Sequence, residues 1–336
     1  MLNIDFSTSQ SIPKYRQIID VVLDHLKEGR LNKGDKLPSC NVLCKHYGLS
    51  QDTVYMAYNE LKSLGLVSSQ QGKGYFITNT NANLQHKVFV LFDHLTAYKE
   101  DLYESFKLAM KGKGSEQIFF HHNNPKIFKS LIEDAIGEYT EFVIMPIADQ
   151  AAMESLNKLA QNRVYILDRA TADLKKKYPY VCQEFERDIY QILNLHSSIV
   201  KKYSRIILSI HHSRDHFKSI IKGFRGICKK YGLDNQVVFD INTVELSKGD
   251  LVIVVDDRDL VTVVKSAQQN ELLIGSEIGI ISYNETPLKQ VIANGITTIS
   301  TDFNAMGKTM AEMIILDKKL KIHNPFGMMK RNSINI

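Results

Sequence analysis

The stretch from Ser39 to Tyr75, SCNVLCKHYGLSQDTVYMAYNELKSLGLVSSQQGKGY, constrains the fold more than any other part of the chain. A short helix is expected after Pro38, with Ser39 as N-cap, Val42, Leu43 and Tyr47 as its apolar face, and Gly48 as its stop. Ser50 opens a second helix on which Val54, Ala57, Tyr58, Leu61 and Leu64 fall at helical spacing. Gln51, Thr53, Tyr55 and Asn59 are left on its other faces. Two short helices joined by a tight glycine turn, the second with a polar outer face, form a helix-turn-helix. Leu66–Ser69 and Tyr75–Ile77 are β-prone runs joined by a loop containing Gly72-Lys73-Gly74, a hairpin with a cationic tip. A hairpin directly after a recognition helix is a wing, and a lysine at its tip can reach phosphate.

Charge alone does not indicate nucleic acid. The whole chain carries a formal +5, and residues 1–78 hold nine Lys/Arg against seven Asp/Glu. The candidate DNA-contacting residues come instead from the arrangement: Lys36, Ser39, Asn41, Ser50, Gln51, Asp52, Thr53, Tyr55, Lys73 and Gly74. Ahead of this unit, Ile12-Pro13 opens a first helix with proline at its N1 position, and Tyr15, Ile18, Ile19, Val22 and Leu26 line its inner face. The four cysteines are scattered, have no CxxC pattern, and read as reduced side chains. The N-terminus has neither a basic n-region nor an apolar h-region, and no apolar run is long enough to span a bilayer. A soluble, cytoplasmic protein with no membrane partner is expected.

With 336 residues, about two domains are expected. The boundaries read as a DNA reader over 1–78, a linker over 79–87 marked by the polar run TNTNANLQ at 78–85, and an effector domain over 88–336. From Lys87 onward strands and helices alternate. Strands are expected at 87–92, 117–121, 141–145 and 164–167, with helices at 101–110, 125–136 and 150–161 between them. Helices at 187–202 and 213–231 and strands at 205–210, 237–239, 251–255, 278–281 and 296–299 continue the pattern. Such alternation gives βαβ units and parallel sheets. About nine strands are too many for one small sheet, so two α/β lobes are expected, with ligands outside the carboxyl ends of the strands.

The residues also carry two resemblances. P-x-Y-x-Q-I from Pro13, L-x-x-G-D-x-L-P-S from Leu31, G-L-S-x-x-T-V-x-x-A from Gly48, L-x-x-x-G-L-V from Leu61 and the Gly72–Phe76 run resemble the GntR family of bacterial repressors. The resemblance implies a homodimer on palindromic double-stranded operator DNA. Family arginines are replaced here by Asn41, Gln51 and Tyr55. Asn and Gln pair with adenine where Arg favours guanine, so the operator is expected to lean toward A·T.

ILDR at 166–169, GFRG at 223–226, VDDRDL at 255–260, IGSEIGIISYNETP at 274–287 and ITTISTDFNAMGKTMAEM at 296–313 resemble the sugar-sensing core of LacI-type regulators and periplasmic binding proteins. That likeness implies a sugar held in a cleft between lobes. It places ligand contacts at Asp168, Asp256, Asn284 and around Thr301–Phe303, with Asp257 more often ordering its loop. A neutral sugar needs carboxylates, amides and arginine for its hydroxyls and an aromatic for its C–H face. Strand ends supply Asp93 and His94, Asp168 and Arg169, and Asp256, Asp257 and Asn284, with Tyr98, Tyr103 and Phe303 for stacking. The family's sugar-gripping arginine is Ile220 here, which leaves Arg169, Arg187 or Arg214 as substitutes. His121-His122 and His211-His212 are neighbours in sequence; on a strand they would face opposite ways, making them poor joint metal ligands.

The combined reading is a repressor released by a small sugar, with L-fucose the candidate effector. A sugar-activated regulator, a non-sugar effector and an enzyme-fused regulator are the alternatives. No Schiff-base lysine motif, nucleophile elbow or P-loop appears, so no catalytic residues, metal or cofactor are expected. Asp168 and Asp256 are expected to act from opposite lobes, with closure altering the separation of the two readers.

Overall fold

The computed structural model describes residues 13–80, 86–210 and 215–334. Its N-terminal part is a winged helix. Helix α1 (Lys14–Lys27) buries Ile18, Ile19, Val22 and Leu26. Pro13 is its N-cap and not its N1 residue, in extended geometry at φ −57° and ψ 143°. Helix α2 (Cys40–Tyr47) starts on Ser39, whose side chain accepts from the Val42 amide. It ends at Gly48 in the left-handed region, φ 63°. Val42, expected on the inner face, is exposed; Cys40 and Leu43 are the residues that α2 buries.

Helix α3 (Gln51–Ser63) is capped by Ser50, which accepts from the Thr53 amide, and buries Val54, Ala57, Tyr58, Glu60 and Leu61. A serine cap of this kind contributes about 1 kcal/mol by pairing an otherwise orphaned amide. The buried Tyr58 hydroxyl donates to the Pro38 carbonyl at 2.6 Å, fixing the turn before α2 to the middle of α3. Strands β1 (Val67–Gln70) and β2 (Gly74–Ile77) form the antiparallel wing, in register from Val67↔Ile77 to Gln70↔Gly74.

The remainder is α/β. Its first sheet takes β3 (His86–Phe92), β4 (Gly114–Phe120), β5 (Glu141–Ile144), β6 (Val164–Asp168), β7 (Tyr180–Cys182) and a late strand, Lys321–His323. Helices α4 (Ala97–Met110), α5 (Pro125–Asp134), α6 (Gln150–Met153) and α7 (Ala172–Lys177) connect them. Its order is β4-β3-β5-β6-β7 and then the late strand; β3 pairs in parallel with β4 and β5, and β5 with β6. The expected helix over 150–161 is broken. After α6 the chain tightens into 3-10 turns at Glu154–Lys158 and Gln161–Arg163, with the Ser155 hydroxyl bonding back to the Ala152 carbonyl. The strands Tyr180–Cys182 and Lys321–His323 were not expected. At three residues each, they are too short for alternation to reveal.

The second sheet has the order β9-β8-β10-β11-β12-β14. Before it, the expected helix 187–202 is split into α8 (Phe185–Leu195) and α9 (Ser197–Val200) at His196, whose φ is −103° and ψ 26°. Strand β8 (Arg205–Ser209), α10 (Asp215–Tyr231), β9 (Asp234–Val238), β10 (Asp250–Val254), α11 (Asp257–Gln269), β11 (Gly279–Tyr283), β12 (Thr297–Thr301) and α12 (Phe303–Ile315) follow. The late strand of the first sheet is β13, and β14 (Phe326–Met329) is the last element. Strand β14 runs antiparallel to β12, so the second sheet is mixed and not purely parallel. The chain enters β14 two residues after β13, a strand of the first sheet, and not from a βαβ unit of its own sheet. Among the described residues the two sheets together hold twelve strands, more than the nine or so expected.

The chain divides into two compact units. One is Met1–Leu95, Phe106–Tyr180 and Thr309–Lys321; the other is Thr96–Ser105, Val181–Lys308 and Ile322–Ile336. The winged helix therefore belongs to the same unit as β3 to β6 of the first sheet. Most of the expected linker, residues 81–85, lies outside the described residues. No helix among the described residues is long and apolar enough to cross a membrane.

Candidate functional site

The reader's candidate contacts lie at the starts of α2 and α3 and on the wing. Asn41, Gln51, Asp52 and Tyr55 are exposed, and Gln51 Nε2 donates to Asn41 Oδ1 at 3.2 Å, which joins the start of α2 to the start of α3. Ser39 and Ser50 are occupied as caps, and Thr53 is tied to the second: Ser50 Oγ accepts from the Thr53 amide and pairs with its hydroxyl at 2.8 Å. Caps leave amides at the start of a helix ordered, a suitable arrangement for phosphate. Lys73 is exposed in the wing turn, and Gly74 takes φ 107°. A Cβ on Gly74 would lie 3.3 Å from Lys36 Cε, while Lys36 Nζ lies 5.8 Å from the Phe76 ring centroid. The wing thereby holds Lys36 beside Lys73's turn.

In the first sheet, the strand order reverses at β3. The crevice outside the carboxyl ends there is the favoured ligand position of an open α/β sheet. Four loops converge on it. Asp93 follows β3 and is 1% exposed, and Arg169 after β6 pairs with it at 3.0 Å. The same guanidinium nitrogen lies 3.5 Å from Asn123 Oδ1 and 3.5 Å from the Pro146 carbonyl, in the loops after β4 and β5. Arg169 thus meets groups from the loops after β3, β4 and β5. Asp168, beside it, is buried at φ 70°. His94 Nδ1 is 3.9 Å from Asp93, and its ring meets His122 edge-on at 5.6 Å.

His121 is fully buried. One ring nitrogen accepts from the Asn123 amide, so the other carries the hydrogen and donates to the Met145 carbonyl at 3.2 Å. Burial pushes its pKa down to about 4, against the pull of Asp93, so the imidazole is neutral. The expectation that His121 and His122 lie on a strand is corrected. Strand β4 stops at Phe120, and His122 and Asn123 turn the chain at φ 49° and 54°.

The second sheet reverses at β8, and its clusters follow β10, β11 and β12. Asp256 N-caps α11, accepting from the Arg258 amide at 2.8 Å and pairing with the Arg258 side chain at 3.0 Å. Asp257 pairs with Lys289 at 2.8 Å. Lys289 is 2% exposed and also donates to the carbonyls of Tyr283 and Asn284, at 2.9 and 2.8 Å. Burial lowers its pKa and Asp257 opposes that. One ammonium therefore ties the loop after β10 to the loop after β11 and holds Asn284 at φ 63°. Phe303, the first residue of α12, is buried, and the ring of Tyr98 lies 4.8 Å away at 31°. Tyr103 is partly buried on the same helix, α4.

Of the three arginines considered, Arg169 is the one the structure places at strand ends. Arg187 is exposed on α8, beside a groove lined by Asp188, His323 and Phe326. Arg214 and His211-His212 lie outside the described residues. Ile220 is buried in the second lobe's core. Sequence reasoning missed Asn123, Arg258 and Lys289. Arg258 sits within the quoted VDDRDL run and could have been found there; a buried lysine on a 3-10 turn has no sequence signature.

Comparison with known proteins fits this division of labour. The profile for bacterial regulatory proteins, gntR family, matches residues 14–77, and that for a periplasmic binding protein-like domain matches 198–325. The transcriptional regulator YhcF of Bacillus subtilis (strain 168) is 32% identical over 111 residues, which are 33% of this chain and 86% of YhcF. The chain belongs to the GntR family. The repressor YtrA of the same organism, another GntR-type relative, is 33% identical over 102 residues, covering 30% of this chain and 73% of YtrA. The GntR reader here spans much less of other curated relatives: 16% of the length of YdfD and 29% of YurK. Beyond the GntR reader, the trehalose repressor of Escherichia coli has the same fold, with TM-score 0.62 at 14% identity over 73% of this chain and all of that one.

Proposed function

We propose that this protein is a repressor that binds operator DNA through its winged helix and is released by a small neutral sugar. The observation that carries the reading is the set of polar strand ends. Asp93, Arg169 and Asn123 converge at the reversal of the first sheet, and Asp256, Asn284 and the Tyr98–Phe303 pair occupy the corresponding end of the second. Carboxylate, amide and guanidinium groups beside an aromatic face are what a monosaccharide requires. The name of the trehalose repressor, which shares the fold, points the same way.

DNA contacts are assigned to Asn41, Gln51 and Tyr55 for bases and Lys36 and Lys73 for phosphate. A homodimer is part of the reading, because a twofold dimer matches twofold operators. No enzymatic step is assigned to any residue.

The test is thermal unfolding in the presence of L-fucose and a panel of other neutral monosaccharides, sugar acids and amino acids. A ligand specific for the folded state raises Tm. A monosaccharide that raises it in the natural protein, and not in Arg169→Ala or Asn284→Ala, supports the reading. A shift confined to acids or amines replaces the sugar with another effector class, and a sugar that tightens DNA binding makes the protein sugar-activated.

A further inference from the structure

The recognition helix is not attached to the first lobe by the chain alone. Glu60, on the penultimate turn of α3, is buried, and its Oε1 accepts from three guanidinium nitrogens. One belongs to Arg16 on α1, at 2.9 Å. The other two are Arg163 Nε and Nη2, at 3.2 and 2.8 Å, from the turn that enters β6. Arg163 also reaches Glu141, the first residue of β5, at 3.2 Å. Two flanking contacts run between the same bodies: Lys62 to Glu138 at 2.6 Å and the Tyr15 hydroxyl to Asn162 at 2.6 Å. Asn59 packs against Gly137, where an added Cβ would lie 3.3 Å from its own.

We propose that Arg163 is a reversible latch fixing the recognition helix to the first lobe. Its charge arrangement is what makes it reversible. Breaking a buried pair is costly when one partner is left alone in the interior. Here, separation leaves Arg16 with Glu60 on the reader and Arg163 with Glu141 on the lobe. Each body keeps a neutral pair, and both become hydrated as they part. The two flanking contacts are polar too, in the manner of mobile interdomain contacts. While the latch is closed, a displacement of the lobe is delivered along α3 to Gln51. That residue lies nine positions, or about 14 Å, away on the same rigid helix.

The test uses the full chain and needs neither operator nor effector. A carbodiimide joins an amine to a carboxylate only at contact distance, forming an amide as the reagent takes up the water. Lys62–Glu138 reports the joint, while Lys158–Glu133, also at 2.6 Å but within the lobe, is the internal control. Conjugates are quantified by peptide mass spectrometry. Glu60→Ala removes the latch from the reader side, and Arg163→Gln from the lobe side. Each is expected to lower the Lys62–Glu138 yield, relative to the control, at least fivefold, with far-ultraviolet circular dichroism unchanged. A ratio unchanged in either variant overturns the proposal.

Discussion

The buried imidazole of His121 makes the first lobe acid-sensitive in a calculable way. In the folded chain its pKa is held at about 4, below the ordinary 6.5 it regains on unfolding. Between those values the unfolded chain binds the extra proton, so stability rises with pH across the window. This contribution is complete above about pH 6.5, is lost progressively as pH falls, and levels off below about pH 4. At about 1.4 kcal/mol per pH unit, the interval corresponds to about 3 kcal/mol. The cause is full burial: a proton on the accepting nitrogen would lose the Asn123 amide as donor and meet no water. The assay is urea unfolding of the natural protein and His121→Gln at steps from pH 7.5 to 4. Carboxylates titrate in both, so the difference between the two curves isolates the histidine. The natural protein should lose about 3 kcal/mol more than the variant between pH 6.5 and 4. Parallel curves, or an imidazole that titrates above pH 6 by NMR, would refute the reasoning.

Lys289→Met should destabilise the second lobe by about 2–4 kcal/mol in urea unfolding, because the Tyr283 and Asn284 carbonyls lose their shared donor. A change below about 0.5 kcal/mol would show the ammonium to be dispensable. Gln51→Ala should cost about 1–3 kcal/mol at one base position in operator titrations. Lys73→Ala should instead weaken all duplexes alike and reduce the salt slope by about one, and a base-specific loss would move Lys73 from phosphate to base recognition.

What could be read in the sequence follows from how local each cause is. Ser39, Gly48 and Ser50 act on their own helix ends, so a few residues suffice to place α2 and α3. Long apolar strands such as β3 and β10 are visible for the same reason. The three-residue β7 and β13 exist because neighbouring strands supply partners, and no short pattern encodes that. The break after Met153 coincides with one serine hydroxyl turning back on the preceding helix, which no spacing pattern announces. Asp93 and Arg169 were legible as strand-end residues, but their contact spans 76 positions, and Arg163 with Glu60 spans 103. Charges that meet across such distances look like ordinary surface charge until the chain is folded.

The property proposed for this chain is coupling between a DNA reader and a sugar sensor. Its most direct measurement is fluorescence anisotropy of a duplex that the full-length protein has enriched from random DNA, titrated with and without L-fucose and the other monosaccharides. The duplex should be twofold-symmetric, and its affinity should fall 5- to 150-fold with one sugar, a coupling of about 1–3 kcal/mol. That sugar's own affinity should fall by the same factor when the duplex is bound. An enriched duplex whose affinity no sugar changes would contradict the account.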